Sequence, residues 1–384
     1  MKIRQPRREL LSVLVALTPW VAACGQSPTE QVSDLGEELQ EIVDRGAQLH
    51  NAVGFAAGVF VPGQGTWLVA SGISHGTTPL TPGMGFHVAS ITKALTATIV
   101  CQLIEEGAVA LEDSLHNWLP SYANIDSTIT VHQLLHHTSG VRDIWNHPSI
   151  WDSVAANWSR VWTAEEVLST FVGEPHFPPG TGWYYTNTNY ILLGLIIESA
   201  TGSSLAEELR QRIMDPLGLE HTYLAAVEPA VGTLAHGWID VDDDGILDDI
   251  SAVENRSYYS IGIASSALVT SAGDLITFSQ ALLGGQLLGQ EMLDQMLTDR
   301  VITPVPDRMS WYGYGIQGHG PTVVGNVEAW GHTGGTGGYL AVWAYLPDSN
   351  AHIVVLQTGD TEVIQVYGKL QEVIAATLEY LSAG

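Results

Sequence analysis

Basic residues are scarce in this 384-residue chain: 14 lysines and arginines stand against 41 aspartates and glutamates, a formal net charge of −27. Such a surface repels phosphate backbones and anionic headgroups, which argues against nucleic acid as a partner and against a basic patch docking on lipid. The plain consequence is a solvated acidic exterior. Lysine is rarest of all, present only as Lys2, Lys93 and Lys369, so one that falls inside a chemical pattern carries extra weight. Cysteine is limited to Cys24 and Cys101, too few for a disulfide framework. H-E-x-x-H is absent, so a zinc protease is not supported. There is no internal repeat. What is abundant is apolar material, 45% of residues against 14% charged, the balance of a globular chain with ample core.

The N-terminus reads as a targeting segment. Lys2, Arg4, Arg7 and Arg8 form a basic region, and Leu10 to Val21 an apolar run of signal-peptide length, too short for a comfortable span of roughly 20 residues. It ends in Val21-Ala22-Ala23-Cys24-Gly25, which resembles the bacterial lipobox, with Cys24 the lipidated first residue. An ordinary signal peptide with an incidental Cys24 is the alternative. The expectation is a leader over 1–23, a flexible tether over 24–33 and a domain over 34–384. The protein would be an exported lipoprotein of the bacterial cell envelope, held to a membrane by its N-terminal lipid anchor. With Cys24 consumed, Cys101 is left as a buried small hydrophobe.

Asp34 to His50 has helical spacing, with Leu35, Leu39, Ile42 and Val43 on one face. Phe55 to Val61 and Thr66 to Ala70 are strand-like runs joined by Pro62-Gly63-Gln64-Gly65. A second pair, Tyr339 to Tyr345 and His352 to Gln357, lies near the other end, before a closing helix over Val363 to Leu381. Between about Ser90 and Gly285 the chain is mostly helical, with long loops rich in glycine, proline and tryptophan. One α/β (α+β) unit built from both termini, with a helical insertion and a cleft at the junction, is the simplest architecture.

Three elements carry chemistry. Ser90-Ile91-Thr92-Lys93 opens an apolar helix, so Ser90 sits where N–H groups and the helix dipole stabilise negative charge. Lys93 is one turn on and reaches the Ser90 hydroxyl; a desolvated lysine can take a serine proton. The rival reading is a helix cap followed by a surface lysine. Tyr185-Thr186-Asn187 precedes a helix over Tyr190 to Ile197, whose cap would be Asn187 or Thr188. His332-Thr333-Gly334 lies in a glycine-rich strand edge that permits close backbone approach, offering an N–H for an oxyanion and, in His332, a polar or cationic group.

Together with Leu134-Leu135-His136-His137-Thr138-Ser139-Gly140 and Gly331-His332-Thr333-Gly334-Gly335, the ordered set S-x-x-K, Y-x-N, H-T-G resembles the penicillin-recognising serine hydrolase family. That family includes class C β-lactamases, D-alanyl-D-alanine carboxypeptidases and related esterases. The resemblance, running from about Asp34 to the C-terminus, implies a β-lactamase-like fold: an antiparallel sheet built from both termini, flanking helices and a mostly helical inserted subdomain. It implies that Ser90 is acylated, Lys93 holds or shuttles the proton, and Tyr185 serves as base and then acid. Asn187 would bond the substrate and Lys93, His332 would fill the basic third-motif position, and Thr333 and Gly334 would shape the strand. The N–H groups of Ser90 and Gly335 would form the oxyanion hole. No cofactor is implied. His332 stands where many β-lactamases carry lysine, which points toward D-amino-acid peptides first, carboxylic esters second and β-lactams third. The implied partners are therefore a small-molecule or peptide substrate and the membrane, in a monomer. A non-catalytic penicillin-binding-like lipoprotein is the alternative. Arg308 is a candidate for a substrate carboxylate only because arginine is scarce.

Other signals are weaker. Asp240, Asp242 and Asp244 lie in a D-x-D-x-D-G run that resembles a calcium loop, with Ser251 where a bidentate glutamate belongs; a solvated acidic loop is the alternative, and no metal is assigned. Trp151, Trp158 and Trp162, with Trp145 before them, suit core packing, with a cleft wall as the sharper reading. His132 and His136 are four apart on a helix, a spacing open to metal, but without an evident third partner they read as structural.

Overall fold

The computed structural model describes residues 34–252, 255–359 and 362–383. The leader, the tether and Cys24 lie outside the described residues.

Asp34 accepts the Gly36 N–H and caps the helix Leu35–Gly46, with Glu37 and Glu38 in its first turn and Arg45 in its last, each charge matched to the helix dipole. The chain then runs through the strands Ala52–Val61 and Gly65–His75, turning at Gly63, whose φ is +73°. These join a nine-stranded antiparallel sheet. Its spatial order is Thr78–Pro79, Gly65–His75, Ala52–Val61, Ala351–Gly359, Tyr339–Leu346, Trp330–Thr336, Gln317–His319, Met309–Tyr312 and Val301–Ile302. The N-terminal strand pairs directly with the last one, Phe55 opposite Gln357 and Val59 opposite Ile353, so the two termini close one sheet around the inserted middle, as expected.

Successive side chains of a strand face opposite ways, and here both faces are covered. Phe55, Ala57, Val59, Ile353 and Val355 meet the first helix and the closing helix Val363–Ala383. Ala56, Trp343, Val354 and Leu356 face the inserted region. Double coverage explains why Ala351–Gly359 is buried at every position and reads as an unbroken apolar run. The inserted region packs around the helix Thr92–Glu105, which is buried continuously from Thr92 to Cys101. A helix apolar all round belongs in a core, and Cys101 is buried there as expected. Among the described residues no helix is long and apolar enough to cross a membrane.

Two features were not foreseen. Phe86–His87, Leu268–Thr270 and Tyr223–Leu224 form a small second sheet, and three short strands extend the main sheet beyond Trp330–Thr336. Runs of two to four residues are too short to show a period.

Candidate active site

The second sheet delivers the chain into the turn that carries Ser90. Ala89 has a φ of +45°, a left-handed conformation that alanine adopts only under constraint from its surroundings. The constraint is visible: the Thr92 hydroxyl donates to Ala89 O at 2.6 Å and accepts the Leu268 N–H at 3.0 Å. Ser90 sits in the 3-10 turn Ala89–Ile91 that leads into the long helix, so the expected helix-start position holds.

Lys93 is fully buried. Its Nζ donates to Ser90 Oγ at 3.1 Å, Asn187 Oδ1 at 2.7 Å and the Ser265 carbonyl at 3.0 Å. Burial pushes its pKa down to about 7, against the opposing pull of Asp143. A surface lysine is thereby excluded. The Nζ also lies 4.8 Å from the centre of the Tyr185 ring. Burial raises the Tyr185 pKa, and its hydroxyl hydrogen-bonds Ser90.

Asn187 opens the helix Asn187–Thr201, but the cap is Thr186, whose hydroxyl accepts the Thr188 N–H at 3.2 Å. That frees Asn187 to bridge Lys93 and Asp143. Its backbone N–H and its Nδ2 donate to Asp143 Oδ2 at 2.7 and 2.9 Å. Thr188 and Asn189 pin the loop that carries Asp143: Ile144 N–H donates to the Thr188 hydroxyl at 3.1 Å, and Ser139 donates to Asn189 Oδ1 at 2.6 Å. Asp143, buried, was missed from sequence, as was His137, whose ring lies 4.4 Å from that of Tyr185. The one available signal was position: Asp143 follows three residues after the Leu134–Gly140 run.

The third element is the strand Trp330–Thr336. A Cβ on Gly334 would strike the Val88 carbonyl and stand 3.4 Å from the Ser90 N–H, so glycine is what lets this strand lie against the nucleophile turn. Gly334→Ala is expected to lower Tm by an amount equivalent to about 1–3 kcal/mol, as overpacking does, and to displace Ser90; thermal melts alongside activity check this. Of the two readings of His332, polar or cationic, its surroundings favour the polar one. It is buried, its pKa pushed down to about 3 by burial and then by the Lys93 charge. Both favour the neutral ring. Nδ1 donates to the Thr333 carbonyl at 2.6 Å, leaving Nε2 to accept from the Tyr312 hydroxyl at 3.1 Å.

Ser90, Tyr185, Thr333, Gly334, Gly335 and Arg308 line one cleft of about 250 Å³. Arg308 and Ser90 are remote in sequence, and the fold brings both to this cleft. The Arg308 guanidinium reaches only the Tyr367 hydroxyl, at 3.4 Å, and it has no carboxylate partner among the described residues.

A family model described as Beta-lactamase matches residues 39–375. The chain belongs to the Beta-lactamase family. Within that family it is 28% identical over 341 residues to a penicillin-binding protein 4 of Amycolatopsis lactamdurans, covering 83% of this chain and 84% of that protein. It is 28% identical to the esterase EstB of Burkholderia gladioli, over 51% of this chain and 53% of the esterase. For several curated relatives the chain spans about half of their length or less. Among solved structures, the D-amino acid amidase of Ochrobactrum anthropi SV3 superposes with a TM-score of 0.77 at 26% identity, covering 90% of this chain and 99% of the amidase. The nine-stranded sheet with its helical insertion is thus the β-lactamase-like fold of a serine hydrolase family.

The remaining sequence signals fall outside this cleft. The tryptophans divide: Trp162 is buried, its Nε1 donating to Ser257 Oγ at 2.9 Å, whereas Trp151 and Trp158 line a second cavity of about 470 Å³ beside Tyr258 and Gly337. That cavity adjoins the third element, because the Tyr258 hydroxyl bonds Thr336 Oγ1 at 2.7 Å. The acidic loop closes between Ile239 and Asp248. Both carboxylate oxygens of Asp240 accept loop N–H groups, from Asp244 and Gly245. Ser251 turns away, accepting the Gly237 N–H and bonding the Tyr339 hydroxyl, so the loop gains no ligand at that position.

Proposed function

We propose that the protein hydrolyses D-amino-acid peptides through an acyl-enzyme on Ser90. The observation that carries this reading is the set of contacts of Lys93. Two of its three partners, Asn187 Oδ1 and the Ser265 carbonyl, are oxygens that can only accept. When the amine is neutral it keeps those two N–H bonds, and its lone pair is left facing Ser90 Oγ. Burial brings that neutral form within reach near pH 7.

Ser90 Oγ then passes its proton to Lys93 Nζ as it bonds to the substrate carbonyl carbon, and the developing oxyanion is held by the Ser90 and Gly335 N–H groups. The raised pKa of Tyr185 keeps the phenol protonated in the free protein, so it enters as the acid that hands a proton to the departing amine. Tyr185 regains that proton from Lys93, and water cleaves the acyl-enzyme by the reverse route. Arg308, which has no carboxylate partner among the described residues, suits a carboxylate on the leaving side, which favours peptides with a free C-terminus over simple esters.

A panel of a D-Ala-D-Ala peptide, a short-chain nitrophenyl ester and nitrocefin tests this. The peptide should be preferred, and Arg308→Gln should raise its KM while sparing the ester. Turnover of none of the three would favour a non-catalytic binder. For the proposed lipoprotein, Cys24→Ala is expected to move the chain from membrane to soluble fraction; retention in the membrane would refute the anchor.

A further inference from the structure

We infer that His132, His136 and Asp299 form a zinc(II) site separate from the catalytic cleft. Two imidazoles four residues apart on the helix Val131–Leu135 and its C-cap present a metal-ready pair but lack a third ligand in sequence. The fold supplies it from 163 residues beyond His136. Asp299, just after the helix Gln290–Thr298, places Oδ2 2.9 Å from His132 Nε2 and Oδ1 3.6 Å from His136 Nε2. With metal–ligand bonds near 2.0–2.1 Å, the edges of a zinc tetrahedron are about 3.3 Å. One ligand atom from each of the three residues lies within 4.8 Å of the other two, close enough for an ion to draw them onto such corners.

The surroundings fit as well. The Tyr314 hydroxyl donates to Asp299 Oδ2 at 2.7 Å and fixes the carboxylate, the kind of outer contact that orients metal ligands. His136 is buried, while the side chains of His132 and Asp299 are 41% and 40% exposed, so an ion can enter and a water can complete the shell. Two imidazoles and one carboxylate are a donor set suited to zinc.

Binding exchanges the Nε2 protons for coordinate bonds. Each neutral ring moves its proton to Nδ1, and the His136 bond to the Asp299 carbonyl, 2.7 Å in the metal-free form, is given up. Among the described residues His136 Nδ1 is buried with no geometrically good hydrogen-bond partner, which lowers the affinity. The ion would tie the helix ahead of His137, which packs on Tyr185, to the far edge of the sheet.

Chelator-treated, tag-free protein titrated with zinc chloride should show one calorimetric site and a Tm that rises with zinc by mass action. Cobalt(II) should give the strong visible absorption of a tetrahedral complex. His132→Ala, at a part-exposed position, should weaken binding by about 10- to 100-fold or more, and Asp299→Ala likewise. Replacing Asp240, Asp242 and Asp244 with asparagine should leave it unchanged. No heat and no Tm shift with wild type, or undiminished zinc binding in His132→Ala, would overturn the site.

Discussion

Ser90→Ala is expected to form no covalent adduct with a slow substrate or a penicillin, and to lose turnover by about 10⁴-fold or more, the scale of removing a nucleophile from a coupled unit. The fold should survive, because the change deletes a single half-buried hydroxyl from a cleft and leaves no cavity in either core. Lys93 loses one of three partners and keeps Asn187 and Ser265. Mass spectrometry of the peptide containing Ser90, with melting curves for both proteins, separates chemistry from folding. An adduct on another serine, or full activity in the variant, would refute acylation at Ser90.

What was legible in the sequence was local. Ser90 and Lys93 are joined by helix geometry, which spacing alone encodes. The first and closing helices and the long strands have runs long enough to show a period and were placed to within a few residues. What was hidden depends on the third dimension. Asp143 acts only because Thr188 and Asn189 pin its loop beside Asn187, and an aspartate in Val-Arg-Asp carries no mark of burial. His332 looked basic because side-chain type suggests charge, whereas burial and the nearby lysine decide it. Arg308 was named for its rarity; its place in the cleft comes from short edge strands with no visible pattern. The third ligand of the His132–His136 pair is remote in sequence for the same reason.

Lys93 itself yields the second large effect. Lys93→Ala is expected to lower kcat/KM by roughly 10³- to 10⁴-fold, as loss of an activating base does. Tyr185→Phe should also slow acylation strongly, and the double variant should cost far less than the product of the two, since members of one proton-transfer unit are not additive. The pH profile gives a sharper test. In the wild type the active form of Lys93 is the neutral amine, so kcat/KM should rise with pH through an apparent pKa near 7. The Asp143 charge raises that pKa by favouring the ammonium. Asp143→Asn removes the charge while its amide oxygen can still accept the Asn187 N–H. Without the opposing charge, burial acts alone, the Lys93 pKa falls, and the acidic limb should move to lower pH. A purely structural Asp143 would reduce activity at every pH and leave the limb where it was, and a limb displaced upward would mean that the proton acceptor is not Lys93.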